Sequence, residues 1–93
     1  MSAEAFTFTF ASPVSMREVA DTLHLARLAA EALHGPERVA LGARTRVDGR
    51  RRTVTVEAAT PAGMELALVF LGYCRREFGP AAVTVAAGGG PAG

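Results

Sequence analysis

The side chains able to do chemistry in this 93-residue chain are few: two histidines, one cysteine, nine carboxylates and ten basic residues, every one of them arginine. Asp21 and His24 stand three residues apart, a spacing that puts both on one face of a helix, as it does His24 with Arg27. A metal site takes three or four convergent donors, and His34, ten residues further on, projects about 80° away from His24 around the same helix. The histidines therefore read as surface residues, and no metal site is expected. Cys74 sits in an apolar run with no histidine placed to activate it, so it reads as a structural thiol and not as a nucleophile. A single cysteine also leaves neither an internal disulfide nor a redox pair, which suits a reducing cytoplasm. Gly88-Gly89-Gly90 follows the last apolar run and precedes no helix, so it lacks the strand-loop-helix setting of a phosphate cradle. No catalytic residue, no cofactor and no enzymatic activity are expected.

Charge gives a second candidate chemistry. Arg44, Arg46, Arg50, Arg51 and Arg52 fall within nine residues, although the net charge is only +1. A guanidinium pairs with carboxylate and phosphate alike, so Arg44, Arg46, Arg51 and Arg52 form a candidate site for an anion or an acidic partner. The plain alternative is a set of long side chains that splay into water and discourage edge-to-edge aggregation.

These residues must be positioned by a small number of elements. Phe6-Thr7-Phe8-Thr9-Phe10 alternates with period two, the pattern of a strand with one buried face. Ser15 and Glu18 form a capping-box pair that opens a helix running to His34, and Gly35-Pro36 stops it. Val39 to Val47 reads as a second strand, Asp48-Gly49 as a two-residue hairpin turn, and Arg52 to Ala58 as the returning third strand. Thr60-Pro61 opens a second helix that Gly79-Pro80 ends, and Ala82 to Ala86 is a fourth strand. The two halves match in punctuation: Ser-Pro or Thr-Pro, helix, Gly-Pro, then a valine three residues on, at Val39 and Val83.

The order βαββαβ resembles the ferredoxin-like superfold, an α+β two-layer sandwich with both helices on one face of an antiparallel sheet of strand order 4-1-3-2. RNA-recognition motifs, ACT-type regulatory domains and acylphosphatases share that superfold, which by itself carries no function. Acylphosphatase-like chemistry would want an arginine in a glycine-rich loop after the first strand and a positioned asparagine. Here that loop is Ala11-Ser12-Pro13-Val14, and the chain has no asparagine. Residues 1–87 are expected to form this domain. Residues 88–93, Gly-Gly-Gly-Pro-Ala-Gly, read as a flexible tail and the start of a linker to further domains.

The hairpin turn at Asp48-Gly49 pairs Leu41 with Val56 and Ala43 with Val54 on the core side, and Arg46 with Arg51 and Arg44 with Thr53 on the open side. With Phe6, Phe8 and Phe10 in the core, the open face carries Thr7, Thr9, Gly42, Arg44, Arg46, Arg51, Thr53, Thr55, Glu57 and Thr84. It has no aromatic residue on which a base could stack, which argues against sheet-based RNA reading. Inverting the first strand would expose the phenylalanines and leave Thr7 and Thr9 in the core without partners.

The helices carry more apolar surface than one sheet consumes. On the first, Met16, Val19, Leu23, Ala26 and Ala30 share the face toward the sheet, while Leu25, Leu28, Ala29 and Ala32 lie on the other side. On the second, Leu66, Ala67, Phe70, Tyr73, Cys74 and Phe78 can form the core face, which leaves Leu68 and Val69 nearer the surface. The candidate protein interface is thus Leu25, Leu28, Ala29, Ala32, Leu68 and Val69, on a non-catalytic adaptor or oligomerisation module that associates with itself or with another domain. The alternative is that scattered surface leucines in alanine-rich helices mean nothing. Binding of RNA or another polyanion by the arginine hairpin and open sheet is the second functional reading. The alanine, glycine and arginine usage points to a high-GC bacterial genome. The N-terminus has no signal-peptide pattern and no apolar run is long enough to span a membrane, so a cytoplasmic protein without a membrane partner is expected.

Overall fold

In a computed structural model residues 4–88 are described. The chain runs β1 (Ala5–Phe10), α1 (Met16–His34), α2 (Pro36–Gly42), β2 (Thr45–Asp48), β3 (Thr53–Glu57), α3 (Pro61–Phe78), a single 3-10 turn (Pro80–Ala82) and β4 (Val83–Ala87). The strands form one antiparallel sheet in the order β2-β3-β1-β4. That order is 4-1-3-2 read from the opposite edge, with a third helix added.

Local chemistry explains the long helices. The Ser15 hydroxyl accepts the Glu18 N–H (3.3 Å), and the Thr60 hydroxyl accepts the Gly63 N–H (3.0 Å), so each first turn has one otherwise orphaned donor satisfied. Both helices end on a glycine with positive φ, Gly35 at 90° and Gly79 at 94°, whose N–H bonds back to Glu31 or Arg75. A side chain with a Cβ would be strained there, and the following proline prevents continuation. The internal match between the halves therefore extends to cap geometry.

The core lies between the sheet and the helices. Phe8, Phe10, Val54, Val56 and Val83 from the strands meet Val19, Leu23, Ala26 and Ala30 of α1 and Leu66, Ala67, Phe70 and Cys74 of α3. Phe70 is the hub, edge-on to Phe8 at 4.9 Å and to Phe10 at 6.2 Å. Edge-to-face pairs of this kind add about 0.5–1.5 kcal/mol beyond the area they bury.

Two expectations are corrected. First, residues 39–42 are helical: the second strand does not run from Val39 to Val47 but from Thr45 to Asp48. Val39, Leu41 and Ala43 imitate strand alternation, yet Val39 and Ala43 are fully buried while Leu41 is 78% exposed. The buried pair is spaced by four, a helical period, and Pro36 stands at the N-terminus of α2 where its missing N–H costs nothing.

Second, the hairpin is wider than two residues. Asp48 pairs with Thr53, Val47 with Val54, Arg46 with Thr55 and Thr45 with Val56, so neither Leu41 nor Ala43 enters the ladder and Arg46 does not face Arg51. The turn spans residues 49–52, and neither Asp48 nor Gly49 takes the positive φ that a two-residue Asp-Gly turn requires. Asp48 Oδ1 instead accepts the N–H groups of Arg50 and Arg51, both at 3.1 Å, and Arg52 takes the left-handed conformation (φ 59°) that closes the turn. The pairing is displaced by four residues along β2. Because four is even, Arg46 stays on the open face.

Candidate functional site

Two surfaces flank the core, and the sequence-derived candidates distribute unequally over them. On the outer side of the helices, Leu25 is 57%, Leu28 48% and Leu68 60% exposed, and Ala32 is exposed as well. Ala29 is half-buried, and Val69 packs partly against the core, so these two border the patch without forming its centre. A shallow cleft between α1 and α3 is lined by Thr22, Leu25, Tyr73, Arg76 and Glu77. It brings one of the exposed leucines beside an aromatic ring and two charged residues.

Two large apolar residues outside the candidate set are more exposed still: Leu33 at 68% and Leu41 at 78%. Leu41 lines a cleft with His34, Arg38, Thr60 and Pro61, where α2 meets the start of α3. The signal that could have exposed Leu41 was present, since its neighbours Val39 and Ala43 already fit a helix that buries the opposite side.

The open face of the sheet holds a groove lined by Thr7, Arg46, Asp48, Arg51, Thr53 and Thr55. Arg46 and Arg51 thus reach one groove, although not as a cross-strand pair. Asp48 stands with them, its Oδ2 3.9 Å from Arg51 Nε. Displacement of Arg51 into the turn keeps the two like charges from facing one another across the ladder, and the Asp48 carboxylate stands beside Arg51. Arg44 is exposed and lies outside the groove; its main-chain carbonyl accepts the Glu57 N–H at 2.9 Å.

Arg52 has a different task. Its guanidinium donates to the carbonyls of Phe10 (3.3 Å), Ala11 (2.7 Å) and Val14, tying the loop after β1 to the β2–β3 turn. Three carbonyls converging on one planar fork use much of its donor capacity. An incoming anion would have to displace them.

Among the described residues no three of His, Cys, Asp and Glu converge as metal ligands would. His24 is exposed; His34 lies 3.8 Å from Glu65, an α1–α3 contact. Cys74 is fully buried, and desolvation pushes its thiol up to about 12. At neutral pH that sulfur stays protonated and a poor nucleophile. No protein-family model, curated protein or solved structure matches the chain. No helix among the described residues is long and apolar enough to cross a membrane.

Residues 88–93, expected to be a flexible tail, lie outside the described residues except for Gly88. That glycine is exposed and donates its N–H to Ala5 O at 3.0 Å, which extends the β1–β4 ladder by one bond.

Proposed function

We propose that this chain is a non-catalytic interaction module of ferredoxin-like architecture, an adaptor domain of a bacterial cytoplasmic protein that binds another protein through the outer face of its helices. The carrying observation is the exposure of Leu25, Leu28 and Leu68 on a layer whose inner side already fills the core. A helix that covers one sheet ordinarily presents charged and polar residues outward, and a group of exposed leucines on both helices of one layer is the pattern of a contact surface. Burying one leucine side chain is worth about 1.5–3 kcal/mol, so two or three at the centre of an interface can dominate its energy.

The test uses matched baits. Leu25→Glu combined with Leu28→Glu leaves the core untouched and should keep the circular dichroism and melting transition of the unmodified chain. A partner recovered with the unmodified chain and lost with the double variant supports this reading; equal recovery with both baits overturns it.

A second reading, polyanion binding, has in its favour the meeting of Arg46 and Arg51 in the open-face groove. The Asp48 carboxylate in the same groove and the engagement of Arg52 with carbonyls count against it. Titration with single- and double-stranded oligonucleotides at about 50 mM salt separates the two readings, since phosphate contacts are strongest at low ionic strength.

A further inference from the structure

The two edges of the sheet are treated unequally. The β2 edge is four residues long, carries Arg46 and Asp48, and is tied to α1 by the Arg27 guanidinium bonded to the Thr45 hydroxyl (3.1 Å). Short length and charge are the usual means by which a sheet edge is kept from pairing with another chain. The β4 edge is one residue longer and lacks the charge. Val83-Thr84-Val85-Ala86-Ala87 is uncharged, free of proline, and rich in residues that favour strands.

Its outward hydrogen-bonding groups can be identified from the register. Ala11 N–H bonds to Ala82 O and Gly88 N–H to Ala5 O, so the hydrogen-bonded pairs of the β1–β4 ladder are Ala11 with Ala82, Thr9 with Thr84, Thr7 with Ala86 and Ala5 with Gly88. The peptide groups of Val83, Val85 and Ala87 therefore point away from β1. No described residue accepts from or donates to them across that edge.

We propose that a second copy of this chain adds its β4 antiparallel to this edge, with Val85 opposite Val85 of the second copy on a two-fold axis. In that register Val83 faces Ala87 of the second copy, Val85 faces its counterpart and Ala87 faces Val83. These are the residues whose groups point outward, and each of the three pairs exchanges two N–H···O bonds. The strand is thus complementary to itself over its whole length.

The side chains agree with the backbone. Val83, Val85 and Ala87 share the side of the sheet on which the helices lie, and Val85 is left 37% exposed there. α1 lies toward β2 and meets α3 through the His34–Glu65 contact, so the opposite flank of α3, with Met64 and Leu71, overhangs β4. The two-fold axis would bring that flank against its own copy and cover Val85. An uncharged strand offers no charge by which to select a different protein, whereas β-branched residues directly opposite one another are favourable cross-strand neighbours. Because the other edge is blunted, addition stops after one step, and the product is a closed dimer with one continuous sheet instead of a filament. The leucines of α1 remain open on this dimer to a different partner.

The experiment uses the full 93-residue chain. Light scattering should give twice the chain mass for the unmodified protein and for the variant carrying Leu25→Glu and Leu28→Glu. It should give the single mass for Val85→Lys and Val85→Pro, both with unchanged circular dichroism. Proline at 85 removes an N–H that has no partner among the described residues, and lysine keeps the backbone intact should the proline variant fail to fold. Amide exchange followed by NMR supplies a signature of strand pairing. On passing from dilute to concentrated protein, the Val83, Val85 and Ala87 amides should slow at least about tenfold, while Thr84 and Ala86, already bonded to β1, stay as they were. A chain that is monomeric at about 0.5 mM, a Val85→Lys variant that remains dimeric, or slowing without that alternation overturns the proposal.

Discussion

Gly63, in the first turn of α3, stands where three backbones meet. A Cβ placed on it would lie 2.3 Å from Glu57 O, 2.8 Å from Gly42 O and 2.9 Å from Ala58 Cα. All three are main-chain atoms, so no side-chain rotation relieves the clash, and α3 would have to move off β3 and α2. Overpacking ordinarily costs about 1–3 kcal/mol, and backbone on three sides puts Gly63→Ala at about 3 kcal/mol or more. A domain of this length is typically stable by about 5–14 kcal/mol, so the loss is a large fraction of the total. It corresponds to a fall in melting temperature of about 12–24 °C. Thermal and urea unfolding measure it, with Gly72→Ala as the reference. Gly72 lies in the same helix, and a Cβ placed on it would meet nothing within 4 Å, so alanine there should raise stability by about 0.5–1 kcal/mol. A Gly63→Ala variant within about 0.5 kcal/mol of the unmodified chain, or a Gly72→Ala variant destabilised to the same degree, would refute the packing argument.

Arg52→Ala should cost about 1–3 kcal/mol in urea unfolding, because three carbonyls lose a charged donor at a half-buried site. Arg52→Gly should recover part of that loss, since φ of 59° suits glycine, and Arg52→Lys should not restore the three-way contact. Cys74 should resist a thiol reagent at pH 8 in the native chain and react once the chain is unfolded. Its folded pKa, about 12, lies above the unfolded value, 9.0, so its contribution to stability is complete below pH 9 and is lost as pH rises toward 12. Urea unfolding from pH 8 to 11 should show that decline and Cys74→Ala should flatten it.

Much of the architecture was legible because local rules and tertiary demands agreed. Period-two alternation in Phe6 to Phe10, the caps at Ser15 and Thr60, and the Gly-Pro stops at residues 35 and 79 each specify an element without reference to the rest of the chain. The core side of α1 followed from helical spacing in the same way. The candidate surfaces were less legible. Leu25, Leu28 and Leu68 could be read off the helical period, whereas Leu41 was hidden by a pattern that fits two periods over a few residues. Arg52 resembled its neighbours in composition, and only the fold put the carbonyls of Phe10, Ala11 and Val14 around it.

The amino-acid sequence by itself determined the four strands and two long helices and their order, the internal match of the two halves, and which side of β1 and α1 is buried, because each rests on interactions within a few residues. Tertiary structure decided the fate of residues 36–44, where Val39 and Ala43 are buried together only with a helix in place. It also decided the register of the hairpin, where Asp48 and a left-handed Arg52 prevail over the local Asp-Gly preference. The unprotected β4 edge belongs to the same class. A strand becomes an edge only through the order of the sheet, and the direction of its peptide groups is set by the bonds it makes to β1.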